Sequence, residues 1–387
     1  MTKYDFTTIP QRRHTDSIKW AVQPNELPMW IADMDFQTAP EIKAAMMAKI
    51  QTGIFGYEEP HDDYYQAVID WYQQEHQATA KPDWLIFTTG VVPALSASVR
   101  RLSHVGDNVL VQAPVYNIFY NSIVNNGRHV LSSDLVYQNG QYQIDFKDLA
   151  AQLAKPLTTL MILCNPHNPV GKVWTEAELL KIRDLCAEHH VTLISDEIHG
   201  DLVLHGPDYR SLFSLADAAD YQTVSLVSPS KTFNVAALHA ATAIVPNAAL
   251  RDQVIRGLNT DEVAEPNLLA LPGTIAAYTQ GHAWLAALKD QLRQNYQQVA
   301  TFLAANLPEI KLVASQATYL VWLDCSALKL PADELAAKLR AKTGLILSAG
   351  SIYGGNGDHF LRMNIACPAS MVRDGLERLK TGIKDKD

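Results

Sequence analysis

Ser228-Pro229-Ser230-Lys231-Thr232-Phe233-Asn234 sets a lysine between hydroxyls, just after an apolar run and a turn-forming proline. Partly withdrawn from water, or close to other cations, such an amine is kept neutral enough to attack a carbonyl carbon and form a Schiff base. The hydroxyls of Ser228 and Ser230 are suited to donate to a phosphate. An ordinary lysine at a strand end is the competing reading of this motif alone. Leu193-Ile194-Ser195-Asp196-Glu197-Ile198-His199 brings a carboxylate to the end of a second apolar run. A buried carboxylate is costly unless it faces a cation, and a protonated pyridine nitrogen is one such partner. A turn or helix-capping aspartate would give the same string. The helicase-like D-E-x-H pattern is set aside, because the chain has no G-x-x-x-x-G-K-[ST] phosphate loop.

Asn165-Pro166-His167-Asn168-Pro169-Val170-Gly171 is a rigid turn whose Asn168 amide can bond a phenolic oxygen. Thr88-Thr89-Gly90-Val91-Val92-Pro93 is a strand-to-helix turn, and free amides at Gly90, Val91 and Val92 would form an anion site. Tyr116 is placed to stack on a planar ring, or to fill half-buried core. Arg362, flanked by apolar residues in Phe360-Leu361-Arg362-Met363-Asn364-Ile365, suits a bidentate carboxylate contact or a structural ion pair.

The elements that must position these residues are legible as a pattern. Short apolar runs at Trp84–Phe87, Asn108–Val111, Leu157–Leu163, Val191–Ile194 and Thr223–Val227 alternate with longer helical patterns. That alternation predicts an α/β layer fold with a largely parallel sheet. Thr175 followed by Glu178 predicts a helix start, with Leu179, Ile182, Leu185 and Cys186 on one face. All of these motifs but that of Arg362 fall just past the carboxyl ends of the five strands, the edge where open parallel sheets bind ligands. The flanks differ: residues 1–47 carry little periodicity, and a long helix pattern, strands near Tyr319–Leu323 and Phe360–Ile365, and a helix from Ala332 follow Ala283. We therefore expect a large domain at 48–282, and a smaller α+β domain made of 283–387 with the N-terminal segment 1–47.

A 387-residue chain suits two domains, and a formal charge of −9 argues against a general nucleic-acid partner. No eighteen-residue apolar run suggests a membrane span, and no apolar leader follows the N-terminus, so the cytoplasm is expected. Cys164, Cys186, Cys325 and Cys367 are scattered without a C-x-x-C and are expected as buried thiols rather than metal ligands or disulfides.

Taken together and in this order, the motifs resemble those of fold-type I pyridoxal 5′-phosphate (PLP) enzymes, the aspartate aminotransferase superfamily, over essentially the whole chain. The resemblance implies that Lys231 holds the cofactor covalently, Asp196 pairs its pyridine nitrogen, Asn168 binds its phenolate oxygen and Arg362 takes the substrate carboxylate. Phe55-Gly56-Tyr57 looks like the segment whose tyrosine reaches the partner's phosphate in a homodimer. Two departures stand out: Ala237 and His239 occupy positions where the superfamily carries Gly and a phosphate-binding Arg, and His199 stands where many relatives have tyrosine. Phosphate binding is then expected of Ser228, Ser230, the Gly90–Val92 amides and Tyr57. With Lys19-Trp20, Trp30-Ile31-Ala32-Asp33-Met34-Asp35-Phe36 and Gly90-Val91-Val92-Pro93-Ala94-Leu95, these departures resemble the cystathionine β-lyase subgroup related to the maltose-regulon modulator protein and cystalysin.

That resemblance implies β-elimination at a carbon–sulfur bond of a sulfur-containing amino acid, giving a thiol, pyruvate and ammonia. Lys231 would act as base, Tyr116 would stack on the ring and help proton transfer, and Ala32 and Tyr57 would lie on the substrate side. An aminotransferase shares the early steps and is the alternative, and a PLP-binding regulatory protein acting by protein contacts is a third reading.

Overall fold

The computed structural model describes residues 4–384; residues 1–3 and 385–387, the outer ends of the two flanking segments, lie outside the described residues. Seven strands form the main sheet: β1 (Leu85–Thr88), β2 (Asn108–Val111), β3 (His129–Ser132), β4 (Thr158–Cys164), β5 (Thr192–Asp196), β6 (Thr223–Val227) and β7 (Ala241–Ile244). Their spatial order is β1-β7-β6-β5-β4-β2-β3, and every pairing is parallel except the two that β7 makes. The five expected strands are all present, shifted by one residue at most at their starts. Trp84 instead ends a 3-10 turn, Leu157 takes φ 64, and β5 extends through Asp196. β3 and β7 were not foreseen.

The central strands are buried on both faces. One core packs Ile162, Ile194, Val224 and Leu226 against helices Val91–Leu102 and Ala248–Thr260; the other packs Met161, Leu163 and Leu193 against Phe146–Leu153 and Glu176–Glu188. Residues alternate between faces along a strand, so Asp196 shares the side of Ile194 while Ser195 and Glu197 turn the other way. The helix Glu176–Glu188 starts with the expected box: Thr175 N donates to Glu178 Oε2 at 2.8 Å and Glu178 N to Thr175 Oγ1 at 3.3 Å.

A 25-residue helix, His282–Asn306, leads into a second sheet of β8 (Lys311–Leu312), β9 (Leu320–Asp324), β10 (Ser348–Ala349) and β11 (Phe360–Asn364), in the order β8-β9-β11-β10. Leu27–Pro28 pairs in parallel with Leu345–Ile346, so the N-terminal segment joins the C-terminal one. The helix Pro40–Gln51 crosses position 47, in a stretch where little periodicity was read, and packs on the helix Ala270–Gln280. All four cysteines are buried and free. Among the described residues no helix is long and apolar enough to cross a membrane.

Candidate active site

The carboxyl ends of the parallel strands open onto a cavity of about 260 Å³, with the start of antiparallel β7 at the same edge. Gly90, Val91 and Val92 after β1, Tyr116 after β2, Asn168 after β4, Asp196 and His199 at the end of β5, and Ser230 and Lys231 after β6 all line it. Ala32 and His239 complete the rim, His239 at φ 49 just before β7.

Lys231 sits on a four-residue helix, Pro229–Thr232, capped by the Ser228 hydroxyl, which accepts from Ser230 N at 3.1 Å. Its Nζ donates to the Ala32 carbonyl at 2.6 Å. Burial, then the positive charge of Arg362, pulls the Lys231 amine down to about 8 from 10.5, partly offset by Asp33 and Asp196. The amine is therefore far more nucleophilic near neutrality than a solvated lysine. Ser228 does not line the cavity: its Oγ donates to the Ala240 carbonyl at 2.7 Å and lies 2.8 Å from Ser230 Oγ, so it braces Ser230 instead of facing the space.

Asp196 and Glu197 are adjacent, buried and differently treated. Glu197, on the far side of the sheet, accepts from the Tyr209, Ser211 and Ser225 hydroxyls and from Leu212 N. Asp196, on the cavity side, accepts from Ile198 N at 3.1 Å and has no ion-pair partner within bonding distance among the described residues. Burial pushes its carboxyl up to about 7. A buried carboxylate lacking a cation is an incomplete arrangement that a cationic ring nitrogen would complete. His199 is 3% exposed, and its Nδ1 is buried without a partner. Burial and the charges of Lys231 and Arg362 push its imidazole down to about 3, so it stays neutral.

Arg362, on β11, is 5% exposed and reaches the cavity edge through Asn168: Nη1 donates to Asn168 Oδ1 at 3.1 Å and Nη2 to the Trp30 carbonyl at 2.9 Å. Its Nε is buried with no acceptor, which leaves an N–H available to a ligand carboxylate. The Tyr116 ring is set edge-on to Phe119 at 5.7 Å, and burial and Asp196 push its phenol up to about 12. Helix Val91–Leu102 begins at the cavity, and the amides of its first turn have no helical acceptors. Tyr57 is the expected site residue that lies apart: it is fully exposed and lines a different cleft, with Glu58, Glu59 and Pro266.

Over the cavity runs the segment Trp30–Phe36, which is neither helix nor strand. Side chains satisfy its carbonyls. Asn364 Nδ2 donates to those of Ile31 and Asp33, both at 2.7 Å, and Tyr319 to that of Ala32 at 3.0 Å. Asn234 Nδ2 donates to those of Met34 and Phe36, at 3.1 and 2.9 Å. Within it, buried Asp35 pairs with Lys19 and Arg12, both at 2.7 Å, and accepts from Trp20 Nε1. Asn234 and Asn364 fall within the sequence motifs of Lys231 and Arg362, but nothing in those motifs assigns them this task. Tyr319 carried no signal of its own.

A family model for aminotransferases of class I and II matches residues 27–379. Cystathionine beta-lyase PatB of Bacillus subtilis (strain 168) is 39% identical, over 98% of this chain and all of its own length. Protein MalY of Escherichia coli (strain K12) is 35% identical, over 98% of this chain and 99% of its own. The structure of cystalysin from Treponema denticola, which contains a pyridoxal 5′-phosphate cofactor, matches with a TM-score of 0.95 and 32% identity over 99% of both chains. The chain belongs to the aminotransferase class I and II family.

Proposed function

We propose that this protein is a cytoplasmic PLP-dependent carbon–sulfur β-lyase that converts S-substituted cysteines such as cystathionine into a thiol, pyruvate and ammonia. The observation that carries the reading is the pairing of a depressed Lys231 amine with a buried Asp196 that lacks a cation, across one cavity. The name of the relative at 39% identity, a cystathionine beta-lyase, supports the same reaction, and the PLP held by the structure at 32% identity supports the cofactor.

The residues present fit the cofactor. Lys231 would hold it, Asp196 would meet its ring nitrogen, Asn168 and His199 its phenolic oxygen, and Tyr116 its ring face. Ser230 and the Gly90–Val92 amides would hold its phosphate, with Ser228 supporting Ser230. When bound, the cofactor supplies an electron sink for the pair left behind by the departing α-proton. The remaining work belongs to the chain. Arg362 would fix the substrate carboxylate through the N–H left unpartnered at Nε, which orients the α-hydrogen. The Lys231 amine, near 8, is a base matched to neutral pH and takes that proton. The Ala32 carbonyl holds the same Nζ at 2.6 Å and keeps the amine beside the cavity. Burial and neighbouring cations keep His199 neutral, so it presents no second positive charge to the ring.

The reading extends to assembly. Ile54, Phe55 and Tyr57 are exposed together, an apolar stretch suited to a subunit contact. We take the protein as a homodimer in which Tyr57 serves the phosphate of the neighbouring site. We likewise divide the chain into 48–282 and a smaller domain of 283–387 with 1–47, the helix Pro40–Gln51 crossing the first boundary.

The test of the reaction is pyruvate release from L-cystathionine by the PLP-loaded protein with no 2-oxo acid added. Steady multiple turnover is expected. No pyruvate, with the cofactor converted once to its amine form and regenerated only by an added 2-oxo acid, would make the protein an aminotransferase.

A further inference from the structure

Lys231 stands on a helix of four residues, too short to hold its own orientation. Side-chain ties from outside the helix must fix it. Ser228 caps the start, and Asn234, just past the end, clamps the segment Met34–Phe36. The third tie is made by the residue next to the lysine: Thr232, fully buried, donates from Oγ1 to Asp201 Oδ2 at 2.6 Å.

Asp201 lies in the turn Gly200–Leu202, five residues beyond Asp196, and is 3% exposed. Its other oxygen is held from the helix Asp62–His76: Trp71 Nε1 donates to Oδ1 at 2.9 Å, and His76 Nε2 lies 2.6 Å from the same atom. Three elements therefore meet on one buried carboxylate, through short bonds to a charged acceptor in a dry environment, where such bonds are strong and directional. The chain of contacts runs His76–Asp201–Thr232 and ends at the peptide that carries Lys231. Neither Asp201 nor Thr232 lines the cavity.

We infer that Thr232 and Asp201, backed by His76, are positioning residues that set the direction of the Lys231 amine. This rests on the reading of Lys231 as the cofactor-holding base. The bond adjacent to Lys231 limits rotation of the short helix, so losing the Thr232 hydroxyl tilts the amine away from its working line without emptying the cavity. Substrate binding, which depends on Arg362, is left in place.

The test compares Thr232→Val, which keeps the side-chain shape, with Thr232→Ser, which keeps the hydroxyl, both as PLP-loaded protein. Thr232→Val is expected to lower kcat about tenfold while KM stays within about twofold. It is also expected to change the visible circular dichroism of the bound cofactor and the pH midpoint of its absorption band. Thr232→Ser is expected to restore all three. If Thr232→Val does not fold, His76→Asn serves in its place, with the same spectral changes expected and a smaller loss of kcat. A variant that folds with wild-type kcat and an unchanged cofactor band would overturn the inference, as would a Thr232→Ser protein as impaired as Thr232→Val. A wild-type protein that shows no lysine-bound cofactor band at all would instead overturn the reading of Lys231 itself.

Discussion

The side chains of the cavity wall and the backbone of the segment that covers it are built on opposite rules. On the wall, polar groups are left short of partners: Asp196 has one backbone donor, and His199 Nδ1 and Arg362 Nε have none. On the covering segment, the carbonyls of Trp30, Ile31, Ala32, Asp33, Met34 and Phe36 all accept hydrogen bonds from side chains. Buried irregular backbone is tolerated only when its polar groups are satisfied this way, so the covering segment is a structural investment. The wall keeps unsatisfied groups because a ligand completes them. The contrast recurs within two residues, where Glu197 is saturated and Asp196 is not.

Changes on the wall are therefore expected to remove activity while sparing stability, and changes within the covering segment to do the reverse. The largest effect is expected for Lys231→Ala, which should lower pyruvate formation by about a thousandfold or more while the melting temperature of the cofactor-free protein holds or rises. A comparable loss of stability would break the comparison. Next comes Arg362→Met, which removes a buried carboxylate partner and should cost about a hundredfold in kcat/KM, read from steady-state kinetics with cystathionine. Because Arg362 also holds the Trp30 carbonyl, this variant straddles both regions and should lose some stability too.

Within the segment, Asp35→Asn should cost about 3 kcal/mol in chemical denaturation, because it takes the close carboxylate from the buried Lys19 ammonium and leaves only Asp33 Oδ1 at 3.9 Å. Activity of the protein that remains folded should fall less than in the wall variants. The smallest effect sharpens the contrast at Asp196. Its carboxyl keeps its proton up to about pH 7 in the folded chain, against an ordinary value of 3.8. The folded state then binds more protons than the unfolded one between these values, so stability falls as pH rises through that window and the loss is complete above it. Cofactor-free Asp196→Asn should therefore melt about 3 °C above the wild type at pH 8, with the gap closing toward pH 4. A gap that is constant with pH would mean Asp196 is not a strained acid.

Much of the wall was legible in the sequence, because strand periodicity dictates where it sits. Apolar runs that end in Asp196 or Ser228–Lys231 must deliver those residues to one edge of a parallel sheet. β7 escaped notice because Ala241–Ile244 is rich in alanine and contains Thr242, whose hydroxyl is taken up by Tyr64 at 2.8 Å. β3 escaped because, as an edge strand, it is only partly buried. Helix Pro40–Gln51 has one fully buried residue, Ile42, and so shows no clear apolar stripe. The covering segment has no period at all. Its string could be quoted as a family marker, but the Asn, Tyr and Arg side chains that hold its carbonyls come from up to 333 positions away, a separation no local pattern encodes. The same holds for Asp201 and Thr232, thirty-one positions apart. Ser228 was expected to face the phosphate, whereas its hydroxyl is spent on Ser230 and Ala240; motif spacing does not say which of two serines turns inward.

The division between wall and covering segment rests on where the cofactor is held. Loading the protein with PLP, reducing it with borohydride and mapping the labelled peptide by mass spectrometry tests this in one step. The expected result is a single label on Lys231, formed fastest above about pH 8, where its amine is neutral. A label on another lysine, or none, would contradict the assignment of the wall as the chemical half of the molecule.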